Sequence, residues 1–300
     1  MNFNEEMTYK TGQIEEMIIN HLPKEEGYQR TVAEAMNYAV LGGGKRLRPM
    51  LMSETAALFG GADECLSHFM VALECIHTYS LVHDDLPAMD NDDYRRGRKT
   101  THIVYGEGMA VLAGDALLNF SFETAAAAFD NLSEPGDCQA VARAIQILGQ
   151  KAGIYGMIGG QCADLKAEEM GEHVTKDMLL YIHEHKTAAL IQAAMMIGAV
   201  LAGADEEAVS KIEKCAYNIG IAFQIQDDIL DVTSSLEVLG KPVGSDEKNN
   251  KLTYVSMHGL EESRKQVEEL SREAIMILQS FKVRNLFLEK LVEQLIYREK

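Results

Sequence analysis

Between residues 84 and 93 the chain carries five carboxylates, Asp84, Asp85, Asp90, Asp92 and Asp93, and arginines follow at 95, 96 and 98. Two unit charges about 4 Å apart repel by roughly 4 kcal/mol at an effective dielectric near 20, so such a run is either spread through water or bound to something cationic. A second acidic group lies in AFQIQDDILDV, 222–232. On a regular helix Gln224, Asp227, Asp228 and Asp231 share one narrow face, while Ile225, Ile229, Leu230 and Val232 turn the other way. Apolar flanks place these acids on an inward helix, where carboxylates need partners. A solvated acidic face would account for either cluster alone. Together they suit a hard divalent cation held through oxygen. Mg2+ is ordinarily bound by one or two carboxylates, with water and phosphate completing its octahedron. An EF-hand fits poorly, because counting from Asp90 the sixth position is Arg95 instead of glycine and the twelfth is Thr101.

The first cluster has a geometric problem. Asp84 and Asp90 are six residues apart, which sets them about 120° from each other on a regular helix. Pro87 cannot donate the backbone bond such a helix needs, so a local bulge is expected, one that swings Asp90 back beside Asp84.

Positive charge is concentrated in two places, GGGKRLRP (42–49) and YRRGRK (94–99). The first is not a phosphate-binding P-loop, since Ala39 stands where a glycine is required and Arg46 follows the lysine where Ser or Thr belongs. Glycines still let backbone approach an anion, and arginine forks match phosphate oxygens. A helix C-cap followed by surface basic residues would explain this block equally well. In IHEHK (182–186), His183 and His185 project about 200° apart on a helix and cannot share one metal ion.

The elements that must position these residues are helices. Strand patterning is weak, and helical spacing runs over 5–20, 29–41, from Pro49 to Gly60, from about 62 to 84, and over 107–130, 136–152, 155–169, 175–202, 206–234, 260–281 and 284–297. No fixed-period repeat or shift in composition divides the chain, so one all-α domain over 1–300 is expected, a large helix bundle around a deep central cavity. The stretch 188–204 is too short for a membrane span and is interrupted by Gln192, so it reads as a helix buried on all sides. The net charge of −18 argues against nucleic-acid or anionic-membrane partners. The five cysteines are scattered, and the N-terminus lacks a signal-peptide layout, so reduced thiols in the cytoplasm are expected.

DDLPAMD, DDILD, HKT (185–187), FQ (223–224) and GGGKRLRP stand in an order that resembles the short-chain trans-polyprenyl diphosphate synthases, the bacterial farnesyl diphosphate synthases among them. The resemblance runs from the GGGKRLRP block to the C-terminus. It implies a homodimeric, all-α enzyme that condenses isopentenyl diphosphate with dimethylallyl and geranyl diphosphate. It implies three Mg2+ ions per site, with Mn2+ as a substitute: Asp84 and Asp90 would hold two and Asp227 a third, supported by Asp85, Asp228 and Asp231. Arg95, Lys186 and Lys241 would bind the allylic diphosphate, and Lys45, Arg48, His77 and Arg96 the diphosphate of isopentenyl diphosphate. Thr187 and Gln224 would stabilise an allylic cation. Tyr79 and Ser80, one turn deeper on the helix of Asp84, would form the floor that stops growth at farnesyl diphosphate. A C20 geranylgeranyl diphosphate synthase, a terpene cyclase and a non-catalytic regulatory subunit are the alternatives.

Overall fold

The structure is a computed structural model that describes residues 2–62, 64–132, 136–233 and 252–296, the side chains of Asn131 and Glu172 excepted. The described chain is helical almost throughout, as the spacing predicts. Two compact units are distinguished, residues 1–53 with 62–145, and residues 54–61 with 146–300.

The first unit contains α1 (Phe3–His21), α2 (Arg30–Val40), the start of α3 (Leu47–Leu58), α4 (Cys65–Asp84), α5 (Thr101–Tyr105) and α6 (Glu107–Ala127). It also includes the first turns of α7 (Asp137–Ala152). A capping box starts α1, with Asn2 Oδ1 accepting from Glu5 N and Glu5 returning a bond to the Asn2 amide. Pro49 falls inside the first turn of α3, where its missing N–H costs nothing. The core of this unit is α4 packed along α6. α4 is apolar and long enough to cross a membrane by length and composition, but two thirds of it is buried within the protein, as a core helix requires.

The second unit contains α8 (Met157–Met170), α9 (Lys176–Ile182), α10 (Ala189–Leu201), α11 (Glu206–Thr233), α12 (Tyr254–His258), α13 (Leu260–Gln279) and α14 (Leu286–Ile296). α11 is its spine, packed on α10 and α13. All twelve residues from Ala189 to Val200 are buried, so the most apolar stretch of the sequence is a core helix and not an anchor. One feature escapes regular periodicity. Between α9 and α10 the residues His183–Ala188 wind as a π-helical turn, inside what the spacing reads as one continuous helix. Such turns are rare and are often found at functional sites.

The only strands among the described residues are β1 (Tyr94–Arg95) and β2 (Arg98–Lys99), paired antiparallel with Arg95 opposite Arg98. The two-residue connection is Arg96-Gly97, both at positive φ (52° and 75°), the conformation of a type I′ hairpin turn. Arg96 therefore sits where an L-residue other than glycine is disfavoured by about 1–2 kcal/mol. Sequence periodicity misses this hairpin because it is only two residues long on each side.

Candidate active site

Two constellations are present, one in each unit. In the first unit, α4 stops at Asp84, and the chain folds back over the helix end. Asp90 N donates to Asp84 O at 2.9 Å, Asp92 N to Asp85 O at 3.2 Å, and Asn91 N to Leu86 O at 3.1 Å. The expected bulge within a continuing helix is thus replaced by helix termination and a returning loop, because Pro87 follows too closely for another turn. Asp85 is buried and clamped by Arg95, whose Nε and Nη2 reach Asp85 Oδ1 at 2.7 and 2.6 Å. Burial pushes the Asp85 carboxyl upward, and the Arg95 guanidinium opposes that shift. Asp84 is half-buried and Asp90 exposed.

Beside this loop lies a cationic patch. Of the three basic residues in GGGKRLRP, Arg46 is structural: it is 2% exposed. It is bonded to Glu15 Oε1 (2.6 Å), Glu74 Oε1 (2.8 Å) and Val40 O (2.7 Å). Sequence reasoning did not separate it from its neighbours, since nothing local shows that Glu15 and Glu74 converge on it. Arg48 differs. Its Nε is buried and has no hydrogen-bond partner, and burial followed by repulsion from Arg96 outweighs the pull of Glu74, lowering its pKa. His77 is driven well below the usual imidazole range, by burial first and then by Arg48, Arg96, Arg95 and Arg46. It is neutral at pH 7. Lys45 and Arg96 are exposed at the edge. Cations gathered in this way, with a buried donor unused, have the chemistry that suits a polyanion.

Tyr79 and Ser80 lie on α4 as expected. Tyr79 is 6% exposed, its hydroxyl has no hydrogen-bond partner, and burial ahead of the Asp84 charge pushes it up to about 12. Ser80 Oγ donates to His77 O at 2.9 Å.

In the second unit a cavity of about 200 Å³ is lined by Asp164, His183, Lys186, Thr187, Gln224 and Asp228, with apolar walls beside them. Lys186 Nζ contacts Asp164 Oδ2 at 2.6 Å. Thr187 Oγ1 donates to Gln224 Oε1 at 2.9 Å, which sets two electron-rich oxygens side by side at the cavity wall. Asp228 is buried, and its Oδ2 accepts from Tyr254 N at 2.7 Å. Asp231 is buried as well. The acidic face of α11 therefore turns inward, although Val232, assigned to the apolar side, is 54% exposed. His183 is held near pKa 4 by burial and so is neutral beside Asp228, 3.9 Å away. His185 instead stacks on Tyr181 at 3.8 Å. The two histidines thus have different neighbours, as their spacing predicts. Lys241 lies outside the described residues.

The π-turn is what presents Lys186 and Thr187 to this cavity. It packs against α8 at Gly160, where an added Cβ would fall 2.1 Å from Lys186 N. That neighbour is backbone and cannot rotate away. Gly160→Ala is expected to destabilise by about 3 kcal/mol or more, the upper range of overpacking, and to lower kcat by displacing Lys186. Thermal melts and steady-state kinetics on the purified variant check both effects, and a wild-type Tm would refute the contact. Asp164, the partner of Lys186, was not singled out from the sequence. Its signal is a lone carboxylate among small residues in GGQCADL, and such a residue usually has a buried cation nearby.

Among the described residues no three His, Cys, Asp or Glu side chains converge into a metal cage made of protein alone. That donor set still fits Mg2+. The candidates are all carboxylate oxygens, and this ion takes few protein ligands and completes its shell with phosphate and water.

Comparison with known proteins decides the family. The polyprenyl synthetase model matches residues 29–291, nearly the whole chain. The chain belongs to the polyprenyl synthetase family. It is 45% identical over 278 residues to the farnesyl diphosphate synthase of Escherichia coli (strain K12), covering 91% of each protein. It is 45% identical to a geranylgeranyl diphosphate synthase of Cyanophora paradoxa over 261 residues, 87% of this chain and 85% of that one. The crystal structure of an FPP/GFPP synthase from Zymomonas mobilis superposes with a TM-score of 0.85 at 34% identity, covering 100% of this chain and 99% of the other. The protein is thus an all-α trans-prenyltransferase acting on isoprenoid diphosphates, in a family that depends on divalent metal.

Proposed function

We propose that this polyprenyl synthetase condenses isopentenyl diphosphate with dimethylallyl diphosphate and then with geranyl diphosphate, and releases farnesyl diphosphate. The observation that carries the reading is the buried, unpartnered Arg48 Nε within the His77–Arg96 patch, a donor that a diphosphate oxygen would satisfy. In this reading Lys45, Arg48, His77 and Arg96 grip the diphosphate of isopentenyl diphosphate. Lys186 and Arg95 bind the allylic diphosphate together with Lys241. Asp85 engages Arg95 through Nε and Nη2, which leaves Nη1 for phosphate oxygen.

Asp84, Asp90 and Asp227 would hold Mg2+, three ions per site with Mn2+ as a substitute, and Asp85, Asp228 and Asp231 would steady them. When bound, the metal supplies Lewis-acid stabilisation of charge on the departing diphosphate. The chain's own residues do the rest. Lys186 and Arg95 stabilise the diphosphate oxygen that takes the electron pair of the breaking C–O bond. The Thr187 and Gln224 oxygens face the allylic cation this leaves. Lys45, Arg48, His77 and Arg96 hold isopentenyl diphosphate so that its double-bond pair forms the new C–C bond. The cation that results loses a proton to the released diphosphate. Alignment of the two partners is worth up to about 7–11 kcal/mol.

Incubation with isopentenyl diphosphate, dimethylallyl diphosphate and Mg2+, with the products dephosphorylated and sized by chromatography, tests the reading. A C15 alcohol is expected, and EDTA should abolish its formation. No product from these substrates would reject the proposal.

The C20 alternative has a specific basis, because proteins of both product names match at comparable identity. The bulky, buried Tyr79 on α4 favours C15. Tyr79→Ala is expected to shift the product toward geranylgeranyl diphosphate, read by the same chromatography, and an unchanged C15 product would remove Tyr79 from the floor. Five free cysteines support a reducing, cytoplasmic setting. The exposed Val111, Leu112 and Phe122 on α6 support a homodimer.

A further inference from the structure

The hairpin that carries Arg95 and Arg96 is too small to hold itself together, because a two-stranded unit of this length is marginal in water even when longer. Its shape must come from what it touches. Tyr38, near the end of α2, donates its hydroxyl to Lys99 O at 2.7 Å. The Arg98 guanidinium lies 4.3 Å above the Tyr38 ring, and its Nη1 donates to Leu41 O at 3.0 Å. Arg96 Nη1 donates to Gly43 O, and Tyr105 packs edge-on against Tyr38 at 5.6 Å. These contacts tie β2 and the turn to Leu41 and Gly43, immediately before Lys45 and Arg48.

We infer that Tyr38 and Arg98 form a positioning clamp that joins the glycine-rich segment to the hairpin and so sets the spacing of the Lys45, Arg48 and Arg96 cations that meet a diphosphate. Neither residue is among the groups assigned above to a diphosphate. Arg98 is exposed, and its planar fork both stacks and bonds, which a lysine cannot reproduce. The inference rests on the reading of the patch as the isopentenyl diphosphate site, and its test separates the two.

Arg98→Lys, Arg98→Leu and Tyr38→Leu are compared with wild type and with Arg48→Met. KM for isopentenyl diphosphate, KM for geranyl diphosphate and kcat are measured for each, together with calorimetric binding of isopentenyl diphosphate. Each clamp variant is expected to raise KM for isopentenyl diphosphate by about threefold to tenfold, a loss on the scale of one cation–π pair with its hydrogen bond. The allylic KM and kcat should stay within about twofold, because Arg95, on the same hairpin, is held separately by Asp85 Oδ1 through Nε and Nη2. The Tyr38→Leu/Arg98→Leu double variant should be little worse than either single one, because both remove the same clamp. A merely structural role would move both KM values together and add in the double variant. Rescue by Arg98→Lys would show that Arg98 acts as charge alone and would overturn the clamp, as would unchanged KM in the clamp variants while Arg48→Met is impaired. If Arg48→Met itself binds isopentenyl diphosphate normally, the reading of the patch fails instead. Should Arg98→Leu fail to fold, Tyr38→Leu and Arg98→Lys carry the comparison with Arg48→Met.

Discussion

Lys186→Met is expected to lower kcat/KM for the allylic substrate by about 10²- to 10³-fold, the scale on which one preorganised donor to developing negative charge contributes. The ammonium lies 2.6 Å from Asp164, a residue 5% exposed, so the substitution also takes a close cationic partner from a buried anion. Breaking such a pair from one side can cost about 3 kcal/mol, with the partial exposure of Lys186 reducing that figure. Two effects are thus mixed in the single variant, and a second variant separates them. Lys186→Met/Asp164→Leu should recover much of the lost Tm, since a well-packed apolar pair replaces a buried ion pair at little cost, yet it should recover no activity. Melting curves and single-turnover kinetics on both proteins supply the comparison. Near-wild-type kcat/KM in Lys186→Met would take Lys186 out of the reaction.

Arg48→Met should be more stable than wild type and a poor enzyme. The Arg48 side chain places a buried Nε without a partner beside the like charge of Arg96, and the attraction of Glu74 compensates only in part, because Glu74 is already bonded to Arg46. Replacing a buried, imperfectly paired cation by an apolar chain of similar length is worth on the order of 1–2 kcal/mol, or a few degrees in Tm for a protein of this size. The same change should weaken binding of isopentenyl diphosphate by about 10²-fold or more, the usual loss when one partner of a desolvated charge pair is removed. Stability and binding would therefore move in opposite directions, as expected where strain is kept for function. A lower Tm would mean that Arg48 is an ordinary structural cation. Unchanged affinity would mean that the diphosphate sits elsewhere.

Nearly every helix was legible in the sequence, and the reason is physical. Apolar spacing, capping residues and glycine stops act over a few residues, and α1, α2, α6, α7, α11 and α13 begin and end within a few positions of where those signals fall. The largely apolar 188–204, interrupted only by Gln192, announced a buried helix, and α10 is one. The two acidic clusters and the two basic segments were legible as candidates for metal and phosphate chemistry, although each taken alone also fits a solvated surface.

What the chain could not declare locally was partnership. That Arg46 is spent on Glu15 and Glu74 while Arg48 keeps a donor unused depends on side chains roughly thirty residues apart meeting in space. Lys186 finding Asp164, the π-turn that presents it, and the type I′ turn at Arg96-Gly97 are likewise settled by packing. Each departs from local preference, since a π-turn and a left-handed arginine are both disfavoured in isolation. Composition and periodicity determined which elements form and what kind of ligand they attract. Only tertiary contacts, whose energies depend on residues distant in the chain, decided which charges are satisfied within the protein and which keep a donor unused.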